Sequence, residues 1–311
     1  MKIVYMGTPD FAVLPLEALY SDGHEIALVV TQPDKPKGRG HKMQPPPVKE
    51  FALSHNIPVY QPESAKTDEA YEYLKSFDAD IFIVAAYGQI LTQRVLDIPK
   101  HGCINIHASL LPKYRGAAPI QWCIINGEKV TGVTTMQMNA GLDTGDMLVK
   151  EEVEILPTDT GETLHDKLAA LGVNTIRETI KQIEVGALSP VPQDDSLSCY
   201  APMINKATGY IDFSKSATEI NNLVRALNSY PYASTTYSGT RFKVIASKVL
   251  CGDFSGTSGE ILDVTKDGIC VKCAKDALII TDVQFEGKKK MPVSEYIKGN
   301  KIETGIVLGE E

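Results

Sequence analysis

The chain has 311 residues, of which 43% are hydrophobic and 23% are charged, and its formal net charge is −8. This composition is typical of a globular protein of about two domains and argues against a protein coated with positive charge. No apolar run reaches the roughly 20 residues of a membrane-spanning helix, and the opening residues lack the pattern of a secretory signal. We therefore expect a cytoplasmic protein that does not bind membranes.

The first thirty residues predict a strand, a helix and a second strand. Apolar runs over residues 2–7 and 25–32 are typical of buried parallel strands, and the helix between them begins near Pro9 and ends near Gly23. This unit predicts an α/β domain with a mostly parallel sheet. The first turn, MGTPDF, lacks the glycine fingerprint of dinucleotide-binding domains, which disfavours a nicotinamide or flavin cofactor.

The segment 31–47, TQPDKPKGRGHKMQPPP, has neither a helical nor a strand period and carries one acid against four cations. The cations are Lys35, Lys37, Arg39 and Lys42. Long aperiodic connections inside compact domains are usually functional or disordered. From this segment alone, a basic arm that contacts nucleic-acid phosphates and a solvated loop are equally good interpretations.

Residues 103–107, CINIH, predict a strand that carries two polar side chains, Asn105 and His107. Because strand side chains alternate between faces, these two point the same way. An amide donor beside an imidazole at a strand end can hold an oxygen that gains negative charge. The alternative is a pair of core side chains that bond to the backbone.

Two further elements are expected near this strand, because ligands of parallel sheets bind outside the carboxyl ends of the strands. Tyr87 and Gly88 end the preceding apolar strand, and Asp143 lies in the turn that follows the next strand. Asp143 near His107 would orient the imidazole and could accept a proton, directly or through water. Its alternative role is that of a simple turn former. An amide, an imidazole and a carboxylate without a nucleophile suit direct attack of an amine on an activated carbonyl.

The character of the sequence changes after a Pro/Ser/Asp-rich stretch, which predicts a linker at 188–205 between a first domain, 1–187, and a second domain, 206–311. After one helix, the second domain shows short strands separated by turns, as in a small OB-like β-barrel. Residues 1–205 carry 17 basic and 26 acidic side chains, whereas residues 206–311 carry 14 and 13. The second domain is therefore much less acidic than the first.

The six cysteines are scattered, and we expect no disulfides in a chain of this size without a secretory signal. Cys270 and Cys273 form one CxxC pair. A structural zinc site needs a second ligand pair, and none lies nearby in the sequence. We therefore interpret the two cysteines as structural and expect no metal.

Together, these segments resemble the folate-dependent formyltransferases, a family whose members act on glycinamide ribonucleotide, amino sugars or methionyl-tRNA. Asn105-Ile106-His107, the following SLLP at 109–112 and Asp143 resemble the whole superfamily. Most of the chain resembles the members that act on tRNA. The segments that carry this resemblance are MGTPDFA, TQPDKPKGRG, VAAYGQIL, CINIHASLLPKYRGAAPIQW, TGVTTMQMNAGLDTGDML and RALNSYP.

The resemblance implies a Rossmann-like catalytic domain joined to an OB-like domain that binds tRNA, with Asn105, His107 and Asp143 as catalytic residues. It implies 10-formyltetrahydrofolate as the formyl-donor co-substrate and methionyl initiator tRNA as the acceptor, a reaction of translation initiation. The expected folate contacts are Tyr87, Gly88, Ser109, Leu110, Leu111 and Pro112, and the expected tRNA contacts are Lys35, Lys37, Arg39 and Lys42. We expect a monomer.

Two other functions stay open. A formyltransferase that acts on a small amine, such as an amino sugar, would not need the loop at 33–47. A catalytically silent RNA-binding protein would use its β domain alone. Transfer of a labelled formyl group to charged tRNA or to a small amine distinguishes the three.

Overall fold

A computed structural model describes residues 1–37 and 42–309, with Lys37 and Lys42 described as backbone only. The described chain forms two compact units. The first comprises Met1–Gly116, Val130–Glu154 and His165–Ala201, and the second comprises Ala117–Lys129, Ile155–Leu164 and the chain from Pro202 onward. Residues 188–201, within the stretch predicted to be a linker, thus belong to the first unit.

A mostly parallel sheet forms the centre of the first unit. The strands of this unit are β1 Lys2–Gly7, β2 Glu25–Val30, β3 Lys35–Lys37, β4 Lys42–Gln44, β5 Val59–Tyr60, β6 Ile81–Ala85, β7 Cys103–His107, β8 Arg115–Gly116, β9 Val130–Gln137, β10 Met147–Glu154 and β11 Tyr200–Ala201. Among the described residues, seven of them form one sheet in the order β10-β9-β7-β6-β1-β2-β5. The five strands β7, β6, β1, β2 and β5 are parallel to one another. The remaining two are antiparallel to their neighbours, β9 to β7 and β10 to β9.

The central strands are apolar because both faces of the sheet are covered. All five residues of β6 are buried, as are five of the six residues of β1. A continuous apolar run is the expected sequence of such a strand. The predicted α/β domain with a mostly parallel sheet is therefore confirmed.

The helices in chain order are α1 Val13–Ser21, α2 Pro47–Ser54, α3 Asp68–Lys75, α4 Gln93–Leu96, α5 Pro119–Ile125, α6 Gly161–Glu184, α7 Ala217–Ala226 and α8 Val293–Tyr296. The first begins at Val13, later than its sequence predicted, because a 3-10 turn at Asp10–Ala12 precedes it. Within residues 1–37 and 42–309, no helix has both the length and the apolar character that crossing a bilayer requires.

The second unit contains an antiparallel sheet. Its strands are β12 Ala233–Tyr237, β13 Thr240–Leu250, β14 Ile261–Thr265, β15 Gly268–Lys272, β16 Ala277–Phe285 and β17 Met291–Pro292. They are ordered β12-β13-β16-β15-β14, with β17 beside β16. Helix α7, which starts at a Ser216–Glu219 capping box, packs on β13 and buries Ile220 and Val224. The predicted smaller β domain is thus confirmed.

The basic segment 31–47 contains regular structure that its sequence did not predict. Strands β3 and β4 form an antiparallel pair in which Lys35 lies opposite Gln44. Three-residue strands are too short to show a strand period, which explains why the pattern missed them. Lys35 is exposed. Arg39 and the side chains of Lys37 and Lys42 lie outside the described residues.

Candidate active site

Asn105 and His107 lie on one face of β7. The antiparallel register with β9 sets Asn105 opposite Met136 and His107 opposite Thr134. Asn105 is half-buried, whereas the His107 side chain is almost enclosed, with 5% of its surface exposed. The alternation of strand side chains correctly predicted that the two would share a face.

The Asp143 carboxylate lies against both side chains. Its Oδ1 is 3.5 Å from Asn105 Nδ2, and its Oδ2 is 3.6 Å from His107 Nδ1. The backbone N–H of Gly116 donates a hydrogen bond to the same Oδ2 at 2.8 Å. The structure thus brings together the three residues that the sequence proposed as catalytic, while the role of each stays a prediction.

The contacts of His107 indicate which of its ring nitrogens carries a hydrogen. Nε2 lies 2.9 Å from the backbone carbonyl oxygen of Tyr114. A carbonyl oxygen can only accept, so Nε2 carries a hydrogen. Nδ1, which faces Asp143, then holds a lone pair in the neutral ring and a hydrogen in the charged ring. Any proton that this ring gains or loses at the site therefore moves at Nδ1.

The turn that carries Asp143 reaches β7 by a route that differs from the predicted one. Because β9 is antiparallel to β7, its last residue, Gln137, lies opposite Ile104 near the start of β7 and not beyond its carboxyl end. The turn folds back along β7 toward Asn105 and His107. Asp143 adopts a left-handed backbone conformation, with φ of 51°, which aspartate tolerates better than most residues.

The predicted folate-contact residues divide into a buried and an accessible group. Tyr87, Ser109 and Leu111 are at most 2% exposed. The hydroxyl of Ser109 donates to the Lys113 carbonyl at 2.6 Å, and the Tyr87 ring belongs to the core, where burial raises the pKa of its hydroxyl. The accessible members are the exposed Gly88 and the half-buried Leu110 and Pro112.

Gln193 was not singled out from the sequence, although it contacts the site. Its Nε2 donates to the carbonyl oxygens of Asp143 at 2.8 Å and Gly145 at 2.7 Å, and its Oε1 accepts from Arg115 Nε at 3.0 Å. Backbone groups have no residue-type signature, so their use at the site could not be predicted. The one available signal is Gly116, whose φ of 114° favours glycine.

Cys270 and Cys273 lie in and just after β15, in the second unit. Burial raises the pKa of the Cys273 thiol to about 11. In the described part of the chain, no three His, Cys, Asp or Glu side chains lie close enough to hold a metal ion.

Comparison with known proteins identifies the family. The formyl transferase family matches residues 1–180, and the formyl transferase C-terminal domain matches residues 203–301. Methionyl-tRNA formyltransferases from Acetivibrio thermocellus and Clostridioides difficile are 53% and 54% identical to this chain, over 100% and 99% of it and 100% of each relative. The chain belongs to the methionyl-tRNA formyltransferase family.

This membership agrees with a structural match outside the methionyl-tRNA formyltransferases. An N-formyltransferase from Helicobacter canadensis, in a crystal structure with folinic acid and dTDP-3-aminofucose, matches 94% of this chain and 100% of its own. The TM-score is 0.69 and the sequence identity 23%. At that identity, the likeness shows a shared fold.

Proposed function

We propose that the protein transfers the formyl group of 10-formyltetrahydrofolate to the α-amino group of methionyl initiator tRNA, which gives N-formylmethionyl-tRNA for translation initiation in the cytoplasm. The observation that carries this proposal is that the Asp143 carboxylate lies within 3.6 Å of the Asn105 and His107 side chains, which share one face of β7. It occurs in a chain more than half identical, over its full length, to methionyl-tRNA formyltransferases.

In the proposed reaction, Asn105 and His107 stabilise the oxygen that becomes negative. The uncharged amine attacks the formyl carbon, and the carbonyl electron pair moves onto that oxygen. Asn105 Nδ2 donates one hydrogen bond to it, and Nδ1 of the charged His107 ring donates a second. Donors that are already in place need no reorganisation when the charge develops, which makes them effective.

Asp143 would have two roles: to balance the positive charge of the His107 ring and to accept the proton that the amine loses. Its carboxylate, 3.6 Å from Nδ1, balances the positive charge of the His107 ring. The attacking nitrogen becomes positive when its bond to carbon forms, so it must release a proton before the amide product is complete. Asp143 accepts that proton, directly or through a water molecule. The electron pair of the oxygen then returns to the carbon, the bond from this carbon to the folate nitrogen breaks, and that nitrogen takes up the proton held by Asp143, so that tetrahydrofolate leaves.

The accessible residues of the predicted folate site suit a flat ring system. Gly88 presents backbone without a Cβ, at φ of 83°, and Leu110 and Pro112 present apolar side chains that are half-buried. We propose that these three contact 10-formyltetrahydrofolate, which supplies the formyl carbon when bound. Tyr87, Ser109 and Leu111 would support them from the core, since these three are buried.

The hairpin formed by β3 and β4 is proposed to contact the acceptor end of the tRNA. Lys35 is exposed on it, and Lys37, Arg39 and Lys42 lie in the same segment. Lysine and arginine contacts to phosphates depend on local charge, so the net charge of −8 does not oppose them. The second unit is proposed as a further tRNA-binding domain.

A formyltransferase for a small amine is the second candidate. The match to the Helicobacter canadensis N-formyltransferase spans 94% of this chain. A two-domain chain of this fold therefore also occurs in a protein whose crystal structure contains an amino-sugar nucleotide. The higher identity to methionyl-tRNA formyltransferases favours the tRNA substrate.

A formyl-transfer assay with competing acceptors tests the proposal. Labelled 10-formyltetrahydrofolate is supplied with charged initiator tRNA, charged elongator methionyl-tRNA or a dTDP-amino sugar. Preferred labelling of the charged initiator tRNA supports the proposal. Labelling of the sugar alone supports the second candidate, and no labelling of any acceptor rejects both.

A further inference from the structure

We propose that Gln193 is a positioning residue, which holds the Asp143 carboxylate in place for catalysis; this inference rests on the proposed function. The Gln193 amide donates to two carbonyl oxygens of the turn that carries Asp143, at 2.8 Å to Asp143 itself and 2.7 Å to Gly145. One side chain thus fixes the backbone at Asp143 and two residues beyond it.

The segment before Gln193 is itself fixed to the sheet. The backbone N–H of Met147, the first residue of β10, donates to the Val191 carbonyl at 2.9 Å, and the N–H of Val191 donates back at 2.8 Å. This bridge places Gln193 two residues further along, beside the turn between β9 and β10. Groups that position a reacting side chain are effective only when rigid elements hold them in turn.

The other end of the Gln193 side chain contacts the segment that holds His107. Arg115 Nε donates to Gln193 Oε1 at 3.0 Å. The residues on either side of Arg115 contact the proposed catalytic residues: the Tyr114 carbonyl accepts from His107, and the Gly116 N–H donates to Asp143. Gln193 therefore links the two segments that hold His107 and Asp143.

The contacts also fix which way the Gln193 amide points. Arg115 can only donate and the two carbonyls can only accept, so the amide oxygen must face Arg115 and the nitrogen must face the turn. Flipping the amide would break all three bonds. The side chain thus has a single orientation that satisfies every partner.

Asp143 needs such support because of its backbone. A non-glycine residue at φ of 51° persists only where its surroundings stabilise that conformation. Without the Gln193 donors, the two carbonyls would turn toward water and the carboxylate would lose its fixed distance from His107. A displacement of about 1 Å at a reacting group can lower the rate on the order of 100-fold.

Gln193→Glu removes the two hydrogen-bond donors of the side chain and keeps its other properties. It has the same length and still accepts from Arg115, but at neutral pH it cannot donate to either carbonyl. We expect kcat for formyl transfer to fall roughly 10- to 100-fold, with KM for both substrates within about twofold, because the loss lies in the reacting geometry and not in binding. Gln193→Met, which has neither the donors nor the charge, should lose a similar factor, and it serves if the glutamate variant does not fold.

Hydrogen exchange of the Gly116 amide distinguishes positioning from a general loss of structure. This amide donates to Asp143 at 2.8 Å, so its exchange, followed by NMR, reports whether the carboxylate is in place. We expect faster exchange at Gly116 in both Gln193 variants and in Asp143→Ala. Amides of β1 and β6 should stay as protected as in the unsubstituted protein.

The control is Gln182→Met in the first unit, the counterpart of Gln193→Met. Gln182 lies on α6, and its amide donates to the Glu178 side chain at 2.9 Å. Its substitution should leave kcat unchanged. A Gln193 variant with kcat within twofold of the unsubstituted enzyme overturns the inference, and so does a fall in kcat with Gly116 exchange unaltered. An unsubstituted protein that transfers no formyl group would instead reject the proposed function.

Discussion

The Nδ1 atom of His107 and the Oδ2 atom of Asp143 lie 3.6 Å apart. This distance is longer than a direct hydrogen bond but short enough for strong charge attraction. The carboxylate oxygen is instead hydrogen-bonded by the Gly116 N–H at 2.8 Å. In the proposed mechanism, a hydrogen on Nδ1 of the charged ring is therefore free to be donated to a substrate oxygen, while the nearby carboxylate balances the charge of the ring.

Asn105→Ala removes the neutral donor of the pair. We expect kcat to fall on the order of 10²–10³-fold, the usual loss when one donor to an oxyanion is removed. The bond of Asn105 to Asp143 is long, at 3.5 Å, so the free energy of unfolding should change by less than about 1 kcal/mol. Steady-state kinetics and thermal unfolding measure the two quantities.

The control for Asn105→Ala is Asn174→Ala, at an exposed position of α6 in the first unit. It should keep wild-type kcat. If Asn105→Ala keeps kcat within tenfold of the unsubstituted enzyme, Asn105 is not an oxyanion donor.

Asp143→Asn removes the charge and keeps an acceptor for the Gly116 N–H. We expect kcat to fall at least about 100-fold, because the ring of His107 loses the carboxylate that balances its charge and the amine loses its proton acceptor. Asp146→Asn is the control, since Asp146 is exposed in the same turn. A larger loss in Asp146→Asn than in Asp143→Asn would mean that the wrong carboxylate has been assigned.

The sequence predicted those parts of the fold and the site that depend on local pattern. The bounds of β1 and β7 agree with the predicted runs 2–7 and 103–107, because buried strands of a parallel sheet are apolar throughout and end at turn residues. The shared face of Asn105 and His107 followed from the alternation of strand side chains alone.

Other features depend on tertiary contacts and left no local pattern. The direction of β9 is one such feature. The approach of Asp143 to β7 was predicted from the geometry of parallel strands, but β9, which precedes the turn of Asp143, is antiparallel to β7. The burial of Tyr87 is another such feature. The preceding residue, Ala86, adopts a left-handed backbone conformation with φ of 46°, and the Tyr87 ring lies in the core. A Pro/Ser/Asp-rich composition could not predict that Gln193 contacts two segments of the site.

Substitution of the four cations of the β3–β4 segment should weaken tRNA use selectively. Lys35, Lys37, Arg39 and Lys42 changed together to alanine should raise KM for charged tRNA more than tenfold and leave KM for the folate substrate unaltered. Each lost phosphate contact reduces the magnitude of the slope of log affinity against log salt by about 0.7–0.9, so the loss of four contacts should reduce it by up to about 3.6. Binding titrations at several salt concentrations measure this slope.

The control for the four cations changes four exposed lysines elsewhere in the first unit, Lys66, Lys75, Lys100 and Lys181. It alters the net charge by the same amount and should barely affect the KM for tRNA. Equal effects of the two quadruple variants would show that only net charge matters. An unchanged KM in the first variant would favour the small-amine candidate.

Asp34 anchors the base of the hairpin, and its contribution to stability should depend on pH. Hydrogen bonds from Gln61 at 2.7 Å and Lys49 at 2.8 Å lower the pKa of the Asp34 carboxyl from its ordinary value. Since the folded protein holds this proton less tightly than the unfolded chain, the stabilisation is present above the unfolded pKa of about 3.9 and is lost as pH falls through the lower folded pKa.

Asp34→Asn should therefore lower the urea midpoint at pH 7, and the difference from the unsubstituted protein should shrink as the pH falls below about 3.9. Asp253→Asn, at an exposed position of the second unit, serves as the control and should leave the midpoint unchanged at each pH. A difference for Asp34→Asn that is the same at every pH would show that its effect is not the loss of a charged anchor.

Because the hairpin carries the proposed tRNA contacts, Asp34→Asn should also raise KM for charged tRNA at pH 7. A hairpin that is held by its own strand pairing would instead keep that KM unchanged.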